Sequence, residues 1–363
     1  MTLDVQAPSD LADYQNPSFV LKKKLEVAFE ERPVPELVDS RSVKVQVKKT
    51  GICGSDVHFY VHGNMGDYVV REPMVLGHES SGTVIEVGDD VQDLKVGDNV
   101  AMEPGVPSRF SKEYKTGHYN RCPHMKFAAT PPVDGTLCKY YVLPEDFLVK
   151  LPENVSLEEG AMVEPTAVAV HAVKQLGVTP MSNIVVFGAG PIGLLCAAAC
   201  ASYGATTICC VDLLDSKLKL AKNFGASHGF KPEKGDTVEQ SAQKIKELIG
   251  CAPDICIDAT GAEASVNTGI EALSNGGTYC QVGMGKTDFI NFAITRVATK
   301  EITIKGCFRY DYGDYELATK LIADGKIPVK QLITHRVKFA QAADAYQLVL
   351  QGQAVKCVID GPE

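Results

Sequence analysis

Ile184-Val185-Val186-Phe187-Gly188-Ala189-Gly190-Pro191-Ile192-Gly193-Leu194-Leu195-Cys196-Ala197-Ala198-Ala199 decides the fold. Four apolar residues run into a G-x-G-x-x-G turn, and the turn runs into a helix-forming stretch, which is the context this motif requires. Gly188 makes the tight turn, Gly190 admits a pyrophosphate, and Gly193 lets helix and strand pack closely. Pro191 and Ile192 complete the loop. The helix N-terminus behind it offers free N–H groups and a positive dipole end to phosphates. A second apolar run, Thr207-Ile208-Cys209-Cys210-Val211, ends in Asp212, nineteen residues after Gly193. An acid there accepts hydrogen bonds from an adenosine ribose and repels a 2′-phosphate, so NAD is expected over NADP. Lys217 nearby is a positive charge that could still meet some phosphate. The alternative is a purely structural sheet in which Asp212 only caps the next helix.

Outward from this stretch, residues 167 to 306 repeat apolar strand, glycine turn and helix. Strands are expected at 183–187, 207–211, 255–258 and 278–282, and helices at 194–202, 216–224 and 265–272. Alternating β and α implies a parallel, doubly wound (Rossmann) sheet. Before residue 165 the texture differs. Val43-Lys44-Val45-Gln46-Val47 alternates with period two, and 82–88 and 96–102 are Val-rich runs of the same style, as in a small antiparallel β-domain. Helices near 314–323 and 340–350 and a strand at 355–359 close the chain. The α/β organisation expected is a β-rich domain at 1–166 and 312–363, with a dinucleotide-binding domain at 167–311.

The 363 residues are 45% hydrophobic and 22% charged, with 36 Lys+Arg against 45 Asp+Glu and a net charge of −9. That composition suits a folded globular chain of about two domains, and the acidic balance without basic blocks argues against nucleic acid. No charged residue lies between Lys174 and Asp212, but Pro180, Gly188, Gly190, Pro191, Gly193 and Gly204 divide that run into short elements, so a membrane helix is not expected. The N-terminus lacks a basic-then-apolar targeting pattern. The twelve cysteines show neither C-x-x-C nor disulfide-framework spacing, and a cytoplasmic location is expected. Cys196, Cys200, Cys209, Cys210 and Cys256 lie in apolar runs and read as small buried hydrophobes. Cys53, in a polar Gly-rich setting, stands apart.

Gly51-Ile52-Cys53-Gly54-Ser55-Asp56-Val57-His58 is followed by Gly77-His78-Glu79. A cysteine, a histidine and a carboxylate are suitable ligands for a catalytic zinc, which takes three protein ligands and leaves a fourth position open. A further carboxylate, Glu164, stands in apolar Ala161-Met162-Val163-Glu164-Pro165, where it needs a partner. His78 and Glu79 are neighbours, so both can bind one ion only if the backbone bends between them.

With Val163-Glu164-Pro165, the 188–193 turn and Phe308-Arg309-Tyr310 in the same order, the chain resembles the medium-chain, zinc-dependent dehydrogenases. Within them it is most similar to the polyol dehydrogenases of the xylitol and sorbitol type, over nearly its whole length. The resemblance implies a GroES-like catalytic domain beside the Rossmann coenzyme domain. It implies zinc on Cys53, His78 and Glu79, with Glu164 binding directly or through water. Ser55 and His58 fall at its proton-relay positions. Arg309 and Tyr310 fall near nicotinamide and substrate, and Val282, Gly283 and Met284 along the nicotinamide. Phe59 lies where some sorbitol enzymes carry a substrate-contacting tyrosine.

The reaction implied is oxidation of a polyol to a ketose, with hydride passing to NAD. At residues 103–111 and 127–132 the chain resembles the yeast-type xylitol dehydrogenases, and that resemblance implies xylitol to D-xylulose; sorbitol (L-iditol) 2-dehydrogenase and L-arabinitol 4-dehydrogenase are alternatives, and a catalytically silent NAD-binding protein is an alternative of another class. Relatives imply a homo-oligomer, with a tetramer favoured. A structural zinc held by four cysteines in part of the family would fall on Ser108, Ser111, Tyr114 and Cys122. One sulfur of four remains, so one zinc per chain is expected and no structural zinc.

Overall fold

The computed structural model describes residues 3, 5–285 and 289–363. The chain divides into two compact units. One comprises Met1–Glu164, Asp311–Ala323 and Val329–Glu363, the other Pro165–Tyr310 and Asp324–Pro328.

The first unit is built on a seven-stranded sheet. Its order is Leu148–Lys150, Asn99–Met102, Glu79–Val87, Ser42–Gly51, Lys356–Asp360 and Ile333–Val337, with Tyr140–Pro144 also paired to Ser42–Gly51. All pairings are antiparallel except the last two strands of that path. The period-two pattern of Val43, Val45 and Val47 buries all three side chains with Val84, Val100, Met102 and Leu143, as expected for a sheet with one covered face. A second cluster gathers Phe19, Leu21, Phe59, Leu76, Leu137 and Tyr346 beside the helices Gly54–His62 and Ala342–Leu350.

The second unit carries six parallel strands in the order His228–Phe230, Thr207–Val211, Asn183–Phe187, Ile255–Asp258, Thr278–Gln281 and Thr303–Gly306. In chain order this is 3-2-1-4-5-6, the doubly wound arrangement, whose ligands bind beyond the carboxyl ends of the strands where the order reverses. That point lies beside Asn183–Phe187, the strand that feeds the glycine turn. The helix Pro191–Ser202 is buried from Gly193 through Cys200, which explains its unbroken apolar sequence. No described helix is long and apolar enough to cross a membrane. The cysteines of the apolar runs are buried in this unit, and desolvation pushes the Cys209 and Cys210 thiols up to about 12. They pack as hydrophobes.

Candidate metal centre and coenzyme site

Cys53 precedes the helix Gly54–His62 as its N-cap. His78 lies just outside the strand Glu79–Val87, after Gly77, which holds φ +89°. This supplies the bend that two neighbouring ligands require. A Cβ on Gly77 would also stand 3.0 Å from both Leu137 and Thr50 side-chain carbons, so glycine is needed for conformation and for space. Cys53 Sγ, a His78 ring nitrogen and a Glu79 carboxylate oxygen all lie within 4.8 Å of one another, and they are the sole such group among the described residues.

One carboxylate joins the two ligand-bearing segments. Asp56, fully buried, accepts from the Cys53 backbone N–H at 3.3 Å and from the Gly77 N–H at 3.2 Å. Its Oδ1 also stands 3.3 Å from His78 Nδ1, a buried nitrogen without a well-formed hydrogen bond. Metal-bound imidazoles direct their second nitrogen to such a carboxylate. Burial alone would lower the His78 pKa, but Asp56 and Cys53 outweigh it and hold the imidazole well above its ordinary value. Thiolate, imidazole and carboxylate, with an oriented His78, fit a catalytic zinc.

Glu79 is buried, and both its oxygens accept from Lys356 Nζ at 2.7 Å. Glu164, in the first turn of the helix Val163–Leu176, is 5% exposed. It lies outside the three-donor group, and its charge acts on Lys356 and Tyr315. Ser55 is half-buried in the first turn of the helix Gly54–His62. His58, on the same helix, pairs through Nδ1 with the Asn64 carbonyl at 2.8 Å. A carbonyl only accepts, so Nδ1 is the donor, and in the neutral ring Nε2 is left as the acceptor. Phe59, which the resemblance set at the substrate, is 1% exposed and packs into the hydrophobic cluster with Leu21 and Tyr346; an apolar ring without a hydroxyl gains from that burial.

In the second unit the glycines behave as the motif requires. Gly188 adopts φ +90°. A Cβ on Gly193 would stand 1.7 Å from the Gly188 carbonyl oxygen, whereas one on Gly190 would meet nothing within 4 Å. Gly190 therefore faces open space at the N-cap of Pro191–Ser202, a cradle that a side chain would fill and that suits a pyrophosphate. Asp212 reaches back to this loop: its Oδ2 accepts from Ala189 N at 2.8 Å and its Oδ1 from Leu214 N at 3.0 Å. Lys217 Nζ is 3.9 Å from the same carboxylate. Buried Asp258, at the end of the neighbouring strand, gathers the N–H groups of Thr260 (2.7 Å) and Gly261 (2.6 Å) on its carboxylate. Its carbonyl accepts from Val282 and Gly283 at 2.9 and 2.8 Å, which sets those residues beside the turn Ala259-Thr260-Gly261. Met284 is exposed. Arg309 holds φ +56° with its guanidinium 4.6 Å from the Phe308 ring centre, and Tyr310 is buried.

The sequence motifs assign no role to Asp56, Lys356 or Asp258. Asp56 was findable, since an acid three residues after an N-cap is a known capping position. Lys356 was not, because its partner lies 277 residues away.

The family model of the alcohol dehydrogenase GroES-like domain matches residues 39–153, and that of zinc-binding dehydrogenase matches residues 191–324. A probable D-xylulose reductase A of Aspergillus terreus is 53% identical over 350 residues, covering 96% of this chain and 99% of that protein. Among solved structures, L-idonate 5-dehydrogenase of Escherichia coli superposes with a TM-score of 0.87 at 30% identity, covering 95% of this chain and 98% of the other. An Escherichia coli alcohol dehydrogenase in complex with NADH gives a TM-score of 0.85 at 27% identity over 95% and 99% of the two chains.

Proposed function

The chain belongs to the zinc-binding dehydrogenases, and from that premise we propose that it interconverts xylitol and D-xylulose with NAD as hydride carrier. The observation that carries the chemistry is the group of half-buried Cys53 with buried His78 and Glu79. The choice of polyol draws on the D-xylulose reductase relatives. Cys53, His78 and Glu79 would hold the zinc, which would supply Lewis acidity toward a substrate hydroxyl, and a bound NAD would supply the hydride acceptor.

The chain's own residues do the rest. Asp56 fixes the orientation of His78 and ties the Cys53 segment to it. Ser55 and His58 carry the released proton outward, with His58 Nε2 as acceptor; Glu164 is the second candidate for that proton through a water. Asp212 selects NAD by receiving the ribose hydroxyls, and Gly190 leaves room for the pyrophosphate. Arg309 and Tyr310, with Val282, Gly283 and Met284, are assigned to the nicotinamide end.

One zinc per chain is proposed, with no structural zinc. The lobe that would hold a second is stitched by other means: Ser111 Oγ accepts from Tyr114 N at 3.1 Å, buried Tyr119 donates to Glu103 at 2.6 Å, and His118 pairs with Asp311 at 2.7 Å. Elemental analysis giving two tightly held zincs per chain would refute this. A homo-oligomer is also proposed, the tetramer being the state the family resemblance favours; the edge strand Thr303–Gly306, with Ile304 43% exposed, offers unpaired backbone groups. The substrate assignment is tested by kcat/KM for xylitol, D-sorbitol and L-arabinitol with NAD. Xylitol is expected to lead, and a clear preference for another polyol rejects it.

A further inference from the structure

Lys356 is a buried ammonium, 4% exposed, deep in the first unit. Its Nζ donates to both oxygens of Glu79 at 2.7 Å and to the Ile52 carbonyl at 3.1 Å. All three ammonium protons are thus used, one of them on the backbone that leads into Cys53. The contact crosses a strand. Lys356 opens the strand Lys356–Asp360, Glu79 opens the strand Glu79–Val87, and Ser42–Gly51 runs between them.

The crossing depends on the missing side chain of Gly51, which pairs with Glu79 in the register. A Cβ there would stand 2.4 Å from Glu79 Oε2 and 2.9 Å from Met162 Cε. The Glu79 carboxylate therefore lies over Gly51, bonded through both oxygens to Lys356 and within 4.8 Å of the Cys53 and His78 donors.

We propose that Lys356 is a positioning residue for the zinc: a fixed cation that shares the Glu79 carboxylate with the metal and leaves the metal's charge under-compensated. The inference rests on the reading of Cys53, His78 and Glu79 as zinc ligands. Two effects act in one direction. An ammonium bound to both Glu79 oxygens competes with the metal for them, and two cations in a poorly solvated site repel strongly. An under-compensated zinc is held less tightly and is a stronger Lewis acid. In the zinc-free protein the same ammonium neutralises a carboxylate that would otherwise be buried and unpaired.

The test is zinc release from the loaded enzyme to excess chelator in three variants. Lys356→Met keeps the length of the stem and removes the charge, and relief of the repulsion between the two cations should slow release about tenfold. Lys356→Arg keeps the charge and should release near the wild-type rate. Gly51→Ala leaves Lys356 in place but displaces Glu79, and release should quicken. Thermal unfolding supplies the readout that a merely structural lysine would not give: Lys356→Met should destabilise the zinc-free protein more than the loaded one. Failure of only the zinc-free Met variant to fold is the same result in extreme form. Faster or unchanged release from Lys356→Met, or equal destabilisation of loaded and free forms, overturns the inference. Wild-type enzyme that holds no zinc rejects the underlying zinc assignment instead.

Discussion

Replacing Gly193 and Gly190 separately by alanine should divide folding from coenzyme binding, although the two sit in one turn. At Gly193 the added Cβ would lie 1.7 Å from the Gly188 carbonyl oxygen, so the turn must open by about 1.3 Å to reach a tolerable 3.0 Å. The obstacle is backbone and cannot rotate away. Overpacking of this kind costs up to about 3 kcal/mol. For a unit of roughly 150 residues that corresponds to a fall in Tm of about 6–12 °C. Gly190 presents the opposite case: its Cβ would meet nothing within 4 Å, and its φ of −79° is open to any residue. Stability should fall by about 1 kcal/mol or less, the cost of alanine at an N-cap. The methyl group instead occupies the space kept for the pyrophosphate, and NAD should bind about ten- to a hundredfold more weakly, roughly 1.4–2.8 kcal/mol. Scanning calorimetry reads the first effect and titration calorimetry the second, the latter suited to a chain without tryptophan. A Gly190→Ala enzyme that binds NAD like wild type, or a Gly193→Ala enzyme that unfolds with it, would refute the reasoning.

Cys53→Ser or His78→Ala should abolish bound zinc and turnover while NAD titration stays near wild type, because the ligands and the glycine turn belong to different units; full activity in a verified zinc-free variant contradicts this. Asp212→Ala with Leu213→Arg, the latter position 69% exposed, should raise KM for NAD and lower it for NADP, and an unchanged preference would remove Asp212 from the ribose contact. Glu103 should make stability fall with rising pH. Burial holds its carboxyl well above the ordinary range; the Tyr119 hydrogen bond pulls the other way, while Glu316 and Asp314 add to the rise. The folded state therefore binds this proton more tightly than the unfolded chain. Its contribution is complete below the unfolded value of about 4.3 and is lost as pH climbs through the folded pKa. Glu103→Gln cannot ionise, so its Tm should match wild type in acid and exceed it at neutral pH; parallel Tm curves would contradict the assignment.

The sheet of the second unit was legible because its signals are local. Strand, glycine turn and helix follow one another within sixteen residues, and the expected strands 183–187, 207–211 and 255–258 coincide with Asn183–Phe187, Thr207–Val211 and Ile255–Asp258. The strand expected at 278–282 ends one residue sooner, at Gln281, where Val282 turns to bond the Asp258 carbonyl. Other elements carry no such local signal, among them two helices and an edge strand. The helix Val238–Ile249 lies in a polar, Lys- and Glu-rich stretch, and the strand Thr303–Gly306 is a short exposed edge. The helix Gly54–His62 is short and opens on glycine, a poor helix former, so its sequence carries little helical signal. At the metal centre the ligand types were visible in two short motifs. Their supporting shell was less so: Asp56 was local but unassigned, and Lys356 joins Glu79 only through the folded sheet. Sequence periodicity shows which face a residue takes, not which distant charge it meets there.

The most direct test of a zinc-dependent polyol dehydrogenase is NADH formation from NAD and xylitol by purified enzyme before chelation, after complete zinc removal, and after one equivalent of zinc is returned. The assignment requires NADH and D-xylulose in equal amounts before chelation, loss of both without zinc, and recovery at one zinc per chain. Undiminished turnover in the zinc-free enzyme, or no oxidation of any polyol by the zinc-loaded enzyme, would contradict it.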